Sequence, residues 1–230
     1  MKDKNLDCVG IIMDGNRRWA KERGLNSYDG HSVGYEKLKD ITSWAKDLQI
    51  KNVVVYAFST ENWKRSEVEV NYLMKIFKKL IFEELNFLKK ENARIVFVGQ
   101  IDRFSEDIQR GIKDIESETK ENKGITLFIA LSYGGRSEIL NAVSGILNDS
   151  KNKEIEITED NFARYLWTKD MPDPDLIIRT GGEMRLSNFL PWQSIYSELF
   201  FTKTYWPDFS KKEFNEIILD FKDRKQRFGK

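Results

Sequence analysis

An α/β fold, one domain with a central, mainly parallel six-stranded sheet flanked by helices, is what this 230-residue sequence predicts. Three observations carry that expectation. Six short runs rich in β-branched and aromatic residues recur along the chain, apolar at consecutive positions, as strands buried on both faces require. Stretches of helical periodicity lie between them, and alternating strands and helices imply crossovers and a parallel sheet. No linker, repeat or low-complexity segment interrupts the chain, so residues 1–230 read as a single unit.

The first run, CVGIIM at 8–13, is followed by the polar MDGNRRWAKERG and a helical pattern at 32–49. NVVVYAF at 52–58 leads through AFSTENWKR to a second helical pattern at 68–92. That pattern carries Leu73, Met74, Ile76, Phe77, Leu80, Ile81, Phe82, Leu85, Phe87 and Leu88, more than one narrow stripe. It reads as a deeply packed helix or as one wall of a long apolar pocket. RIVFVG at 94–99 precedes a third helix at 103–120; ITLFIAL at 125–131 runs through LSYGGR into a fourth at 137–149. DLIIR at 175–179 and ELFFT at 198–202 complete the strands, and a helix at 210–228 closes the chain. The polar stretch at 149–158 is a short connection.

Composition narrows the function. Lys plus Arg is 38 and Asp plus Glu is 37, so a net charge of +1 provides no general field for nucleic acid or an anionic membrane. Attraction for a phosphorylated ligand must be local. The single cysteine, Cys8, rules out an intrachain disulfide and a Cys-based zinc site. The polar start MKDKNLD does not resemble a signal peptide, and no run approaches the ~18 apolar residues of a membrane span. The expected location is the cytoplasm.

Ligands of open parallel sheets sit beyond the carboxyl ends of the strands. Asp14 to Arg18, Ser59 to Arg65, Tyr133 to Arg136 and Thr180 to Ser187 all follow apolar runs and should converge there. Asp14-Gly15-Asn16 reads as a turn and helix cap, or as an anion site in which Gly15 lets backbone N–H groups approach a phosphate and Arg17 and Arg18 add donors. A carboxylate such as Asp14 among phosphate donors hints at Mg²⁺ between the two. Ser59, Thr60, Glu61, Asn62, Trp63 and Arg65 form a second cluster, an N-capped helix start or part of a binding site. In IIRTGGEMRLSNF, two glycines permit close backbone approach while Arg179, Arg185 and Ser187 supply donors beside Leu186. This matches neither a P-loop nor a GxGxxG loop, and convergent arginines without them suit a diphosphate outside a nucleotide. His31, the only histidine, is expected at a loop-to-helix junction, open to hydrogen bonding or proton transfer. Glu198 is a carboxylate beside an apolar strand, unusual unless paired or bound to metal.

MDGNRRWAK, GHSVG, AFSTENWKR, LSYGGRSEI, PDLIIRTGGEMRLSNFLPWQ, YSELFF and WPDF together resemble the cis-prenyltransferase family, most closely the bacterial undecaprenyl diphosphate synthases, from Val9 to Gly229. The DDxxD motif of trans-prenyltransferases is absent. The resemblance implies a homodimer with an apolar tunnel, and Mg²⁺-supported condensation of isopentenyl diphosphate with an allylic diphosphate such as farnesyl diphosphate. The product would be a long cis-polyprenyl diphosphate, such as the undecaprenyl precursor of the cell-wall lipid carrier. It further implies that Asp14 holds Mg²⁺ and helps the allylic diphosphate leave, and that Glu198 is the second metal carboxylate. Gly15, Asn16, Arg17, Arg18, Trp19 and Arg65 would line the allylic diphosphate. His31, Ser59 and Asn62 would orient substrate and serve proton removal, with Asn62 positioning the acceptor, since an amide is a poor base. Thr60, Glu61 and Trp63 join the substrate-binding candidates. Arg179, Arg185, Leu186 and Ser187 would hold isopentenyl diphosphate. The dimer is expected around 189–206, whose aromatic content exceeds what one edge hides. The terminal QRFGK would approach the partner subunit, and product release leaves room for peripheral membrane contact.

Three positions depart from the family pattern. Arg17 stands where many bacterial members have glycine, Cys8 replaces a histidine, and Ser27 falls where an arginine usually meets the allylic diphosphate. Compensation from Arg17 or Arg23 is one expectation. A short-chain or irregularly joined product is another. A non-catalytic partner subunit would lack the aspartate and parts of the arginine set that are present here.

Overall fold

The computed structural model describes residues 6–84, 90–152 and 154–224. All six expected strands are present: β1 (Cys8–Ile12), β2 (Asn52–Ser59), β3 (Arg94–Val98), β4 (Thr126–Tyr133), β5 (Leu176–Arg179) and β6 (Glu198–Phe201). They form one sheet in the order β3-β4-β2-β1-β5-β6. Every pairing is parallel, so the sheet is wholly parallel. The chain leaves β1 for β2 on one side and returns to β5 on the other. A crevice therefore opens beyond the carboxyl ends of β1 and β5.

Both faces are covered, as continuous apolar strands require. Val9, Ile11, Val53 and Val55 face one core; Cys8, Ile12 and Val54 face another with Tyr133, Met171, Phe189 and Leu190. The larger core is closed by α2 (Ser27–Asp47), α3 (Glu67–Lys79), α4 (Glu106–Thr119) and α7 (Lys211–Asp223) through Leu38, Phe77, Ile112 and Phe221. Each such side chain contributes roughly 1.5–3 kcal/mol by burial. Two short helices, α1 (Asn16–Glu22) and α6 (Glu159–Ala163), and α5 (Gly135–Asp149) are further helices among the described residues. Among the described residues, no helix is long and apolar enough to cross a membrane.

Three expectations change. Helix α2 starts at Ser27, not near Ser32, so His31 sits inside a helix rather than at its junction. A capping box between Asn26 and Asp29 starts it, and its glycines have a packing reason. A Cβ on Gly34 would stand 2.1 Å from Asn16 Oδ1, so α1 can approach only a bare backbone. The second helical pattern ends as α3 at Lys79 and continues as a π-turn over Leu80–Glu84; Leu85, Phe87 and Leu88 lie outside the described residues, as does QRFGK. The aromatic content of 189–206 is hidden only in part. Phe189 and Trp206 are buried within the chain with Leu190; Trp192, Phe200, Phe201 and Tyr205 are half-buried; and Ile195, Tyr196 and Leu199 are exposed.

Glu198 is the third. It opens β6 in register with Leu176, itself level with Val9, at the amino edge of the sheet. Asp14 follows the opposite end of β1. At ~3.3 Å per residue, Val9 to Ile12 alone spans about 10 Å along the strand direction, and Asp14 lies beyond that end. Within one chain these two carboxylates cannot share an ion, and Glu198 is paired with Arg224 at 3.1 Å. An apolar run by itself does not disclose which edge its first residue faces.

Candidate active site

The turn after β1 is tightly anchored. Asp14 donates its backbone N–H to Thr180 Oγ1 (3.0 Å), whose hydroxyl donates to Asp14 O (2.7 Å). Trp206 N also donates to Asp14 O (3.0 Å), and the buried Trp206 indole donates to Gly34 O (2.6 Å). Gly15 follows with φ 108°, where a Cβ would lie 2.6 Å from the Tyr205 ring. The result is a rigid corner that presents the Asp14 carboxylate to the crevice.

Asp14 Oδ2 accepts from Arg179 Nη2 (2.9 Å), and Oδ1 pairs with Arg18 Nη2 (3.0 Å). The Arg179 side chain, only 5% exposed, also donates to Ser187 Oγ (2.7 Å) and to the carbonyl of Arg185. Glu183 lies between Arg18 and Arg185, pairing with both. Across the crevice, buried Glu69 on α3 pairs with Arg65 (2.9 Å) and Arg17 (3.7 Å), with His31 Nε2 3.8 Å away. Burial, then the Arg65 charge, pulls the His31 pKa down to about 4, so the ring is neutral at pH 7.

Two cavities of about 750 Å³ each meet at Asp14, Asn16, His31 and Arg65. The first has a polar side, with Ser59, Glu61, Asn62, Arg179, Arg185 and Ser187. Its apolar side is formed by Leu38, Leu73, Ile76, Phe77, Leu80 and Ile129. The second is lined by Gly15, Arg17, Arg18, Lys21, Leu25 and Ser27. Among the described residues, three of the five buried side-chain polar atoms without a hydrogen-bond partner belong to residues of this site: Asn16 Oδ1, His31 Nε2 and Arg179 Nε.

Three of the four polar clusters expected at one sheet edge thus converge there, while Tyr133 to Arg136 line neither cavity. Trp19, Thr60, Trp63 and Leu186 do not line either cavity. Trp19 donates to Asp208 beneath Arg23, and Trp63 donates to Ser132 Oγ while packing on Phe58 and Phe104. Both serve the frame around the site. Sequence reasoning missed Tyr56, Glu69, Glu183 and Asn188. Glu183 was legible as a carboxylate set between two arginines of one loop; Glu69 reads from sequence only as the first turn of a helix.

Asn62 spends its Oδ1 accepting from Ser59 N (3.0 Å), which leaves its NH₂ as the donor for the cavity. Among the described residues no three His, Cys, Asp or Glu side chains cluster as a ready-made metal cage. Asp14 still fits Mg²⁺, which commonly takes one or two carboxylates and completes its shell with water and substrate oxygens. Its carboxylate is at the rim, 28% exposed, beside the arginines that would bring those oxygens.

Likeness to known proteins gives the family. The family model described as "Putative undecaprenyl diphosphate synthase" matches residues 12–229. The chain belongs to this prenyltransferase family. An isoprenyl transferase of Thermotoga maritima is 50% identical over 96% of this chain and 95% of its own length. One from Clostridium perfringens is 45% identical over 100% and 92%. The fold matches a crystal structure of lavandulyl diphosphate synthase from Lavandula x intermedia in complex with dimethylallyl diphosphate, with TM-score 0.94, 33% identity and 98% of each chain covered. It also matches a probable undecaprenyl diphosphate synthase from Campylobacter jejuni, with TM-score 0.83, 32% identity, and 99% and 100% covered. This prenyltransferase family implies isoprenoid diphosphate substrates, consistent with a site built from arginines beside an apolar wall.

Proposed function

We propose that this prenyltransferase condenses isopentenyl diphosphate with an allylic diphosphate, farnesyl diphosphate being the expected starter, and extends it to a long cis-polyprenyl diphosphate of the undecaprenyl kind. The observation that carries the reading is the pairing, in two adjoining cavities that share Asp14, Asn16, His31 and Arg65, of two arginine groups on either side of Asp14 with an apolar wall from α2 and α3. Two anionic heads and one growing hydrocarbon chain would be accommodated together, the apolar side serving as the start of a tunnel.

In this reading Arg17, Arg18 and Arg65 grip the allylic diphosphate, while Arg179, Arg185 and Ser187 grip the isopentenyl one. Mg²⁺ held by Asp14 and diphosphate oxygens would supply positive charge at the leaving group. The arginines stabilise the same developing charge from fixed positions. As the allylic C–O bond breaks, the isopentenyl double bond attacks the allylic carbon, and the proton then lost passes to the departing diphosphate. Neutral His31 offers one N–H donor and one acceptor nitrogen, and Asn62 donates through its amide, so both orient rather than titrate. The enzyme is read as a cytoplasmic homodimer with Ile195, Tyr196 and Leu199 at the contact, releasing product by peripheral membrane contact. Sedimentation as a monomer at micromolar concentration would remove the dimer.

A second reading, a short or irregularly joined product, rests on Ser27 lining the second cavity where the resemblance expects an arginine. One experiment tests both. Labelled isopentenyl diphosphate is supplied with Mg²⁺ and a dimethylallyl, geranyl or farnesyl starter, and products are sized by mass. A ladder of long products supports the first reading, and a single short or branched product supports the second. No incorporation with any starter refutes both.

A further inference from the structure

Asn188 lines the first cavity together with Asp14 and carries an unusual backbone. Its φ is 67°, with Ser187 at 49° and Leu190 at 49°, so three of four consecutive residues are left-handed without being glycine. Asparagine tolerates that region better than most residues, but a run of this kind persists only where its surroundings hold it. They do. Asn188 Nδ2 donates to Glu61 Oε1 (2.9 Å), Oδ1 accepts from Arg136 N (2.9 Å), and its carbonyl accepts from Gly135 N (2.9 Å). One residue thus ties together the turn after β2, the first turn of α5 and the loop that bears Arg185 and Ser187.

The approach of these segments is close. A Cβ on Gly134 would lie 2.4 Å from Thr60 Oγ1 and 2.8 Å from Asn188 Nδ2, and one on Gly135 would lie 2.0 Å from Pro191 Cδ. The two glycines of LSYGGR, which the substrate chemistry leaves without a role, are the space into which this junction fits. Glu61 is held as an anion there. Burial would raise its pKa, but hydrogen bonds from Asn188, from Ser59 and Thr60, and from the backbone outweigh it and lower the net value. The Asn188–Glu61 contact is therefore charge-assisted.

We propose that Asn188 is a positioning residue whose hydrogen bond to Glu61 latches the Arg185–Ser187 loop to the turn bearing Ser59 and Asn62. The latch sets the distance between the grip on the isopentenyl diphosphate and the groups that orient its hydrocarbon. It rests on the reading of the site given above, and it deepens that reading by assigning Asn188 and the glycine pair.

The test is a reciprocal exchange. Asn188→Asp keeps the left-handed preference and the acceptor for Arg136, but sets a carboxylate against Glu61. The KM for isopentenyl diphosphate should rise about tenfold or more, the scale of one charge-assisted hydrogen bond, while the allylic KM changes little. Binding of inorganic pyrophosphate, read by calorimetry, should weaken in parallel. Acidification should narrow the defect as the two carboxylates come to share a proton. In Glu61→Gln/Asn188→Asp the new amide can donate to the new carboxylate, and most of the lost affinity should return. If Asn188→Asp does not fold, Asn188→Gly is read instead, since it frees the backbone and deletes only the amide bonds. Parent-like affinity in the single variant, or a folded double variant as impaired as Asn188→Asp, overturns the proposal. A parent that binds pyrophosphate but never condenses isopentenyl diphosphate would sink the functional reading while leaving the latch measurable.

Discussion

Replacing Asp14 with alanine should do two separable things. The carboxylate holds Arg179 at 2.9 Å and Arg18 at 3.0 Å. Arg18 is 41% exposed, so its lost pair contributes little, ~1 kcal/mol or less. Arg179 is 5% exposed and would keep only Ser187 Oγ and the Arg185 carbonyl. Breaking a fully buried pair costs about 3–5 kcal/mol. Asp14 is 28% exposed, so water can reach the vacated Nη2, and roughly 1–3 kcal/mol is the expected loss. For a chain of this size that lowers Tm by roughly 2–12 °C. Turnover should fall about a hundredfold or more, because charge stabilisation at the leaving group is lost. Thermal unfolding by circular dichroism and Mg²⁺-dependent incorporation of labelled isopentenyl diphosphate read the two effects. Inorganic pyrophosphate should raise the Tm of the variant, since an anion can take the place of the missing carboxylate. An unchanged Tm would refute the structural half of the argument, and parent-level turnover by a folded variant the chemical half.

Two further predictions follow from the same site. His31 has a folded-state pKa of about 4 against a reference value of 6.5, so between those values the unfolded chain binds the extra proton. Stability should therefore fall as pH drops from about 6.5 towards 4, by an amount on the order of 3 kcal/mol at the limit. His31→Gln should flatten that slope in denaturant titrations at several pH values; an identical slope would exclude His31 as its source. At the second cavity, Arg23 is held by Asp208 at 2.9 Å and lies over the Trp19 ring, so compensation for Ser27 falls to Arg17, which lines the same cavity. Arg17→Gly should raise the allylic KM about tenfold or more, with partial rescue by Ser27→Arg in the double variant. Strictly additive effects would show the two positions to be independent.

The sequence by itself determined the six strands, their parallel sense and the sheet edge on which the polar clusters meet. Consecutive apolar residues such as NVVVYAF can be satisfied only between two covered faces, and alternation with helices leaves little choice of topology. Asp14, Arg18, Arg179 and Arg185 were legible because each follows an apolar run that ends at that edge. What the tertiary structure decided concerns groups whose partners are remote in the chain. Glu198 sits at the other edge of the sheet, because strand register, not composition, sets the level of a side chain. Glu69 and Asn188 acquire their meaning only from Arg65 and His31 in one case and from Glu61 and Arg136 in the other. Nothing local in the sequence marks the glycines at 34, 134 and 135 as packing positions, yet each admits another segment's atoms at a distance no Cβ would allow. Periodicity reports which face a residue turns to the core; it carries no record of what approaches from the other side.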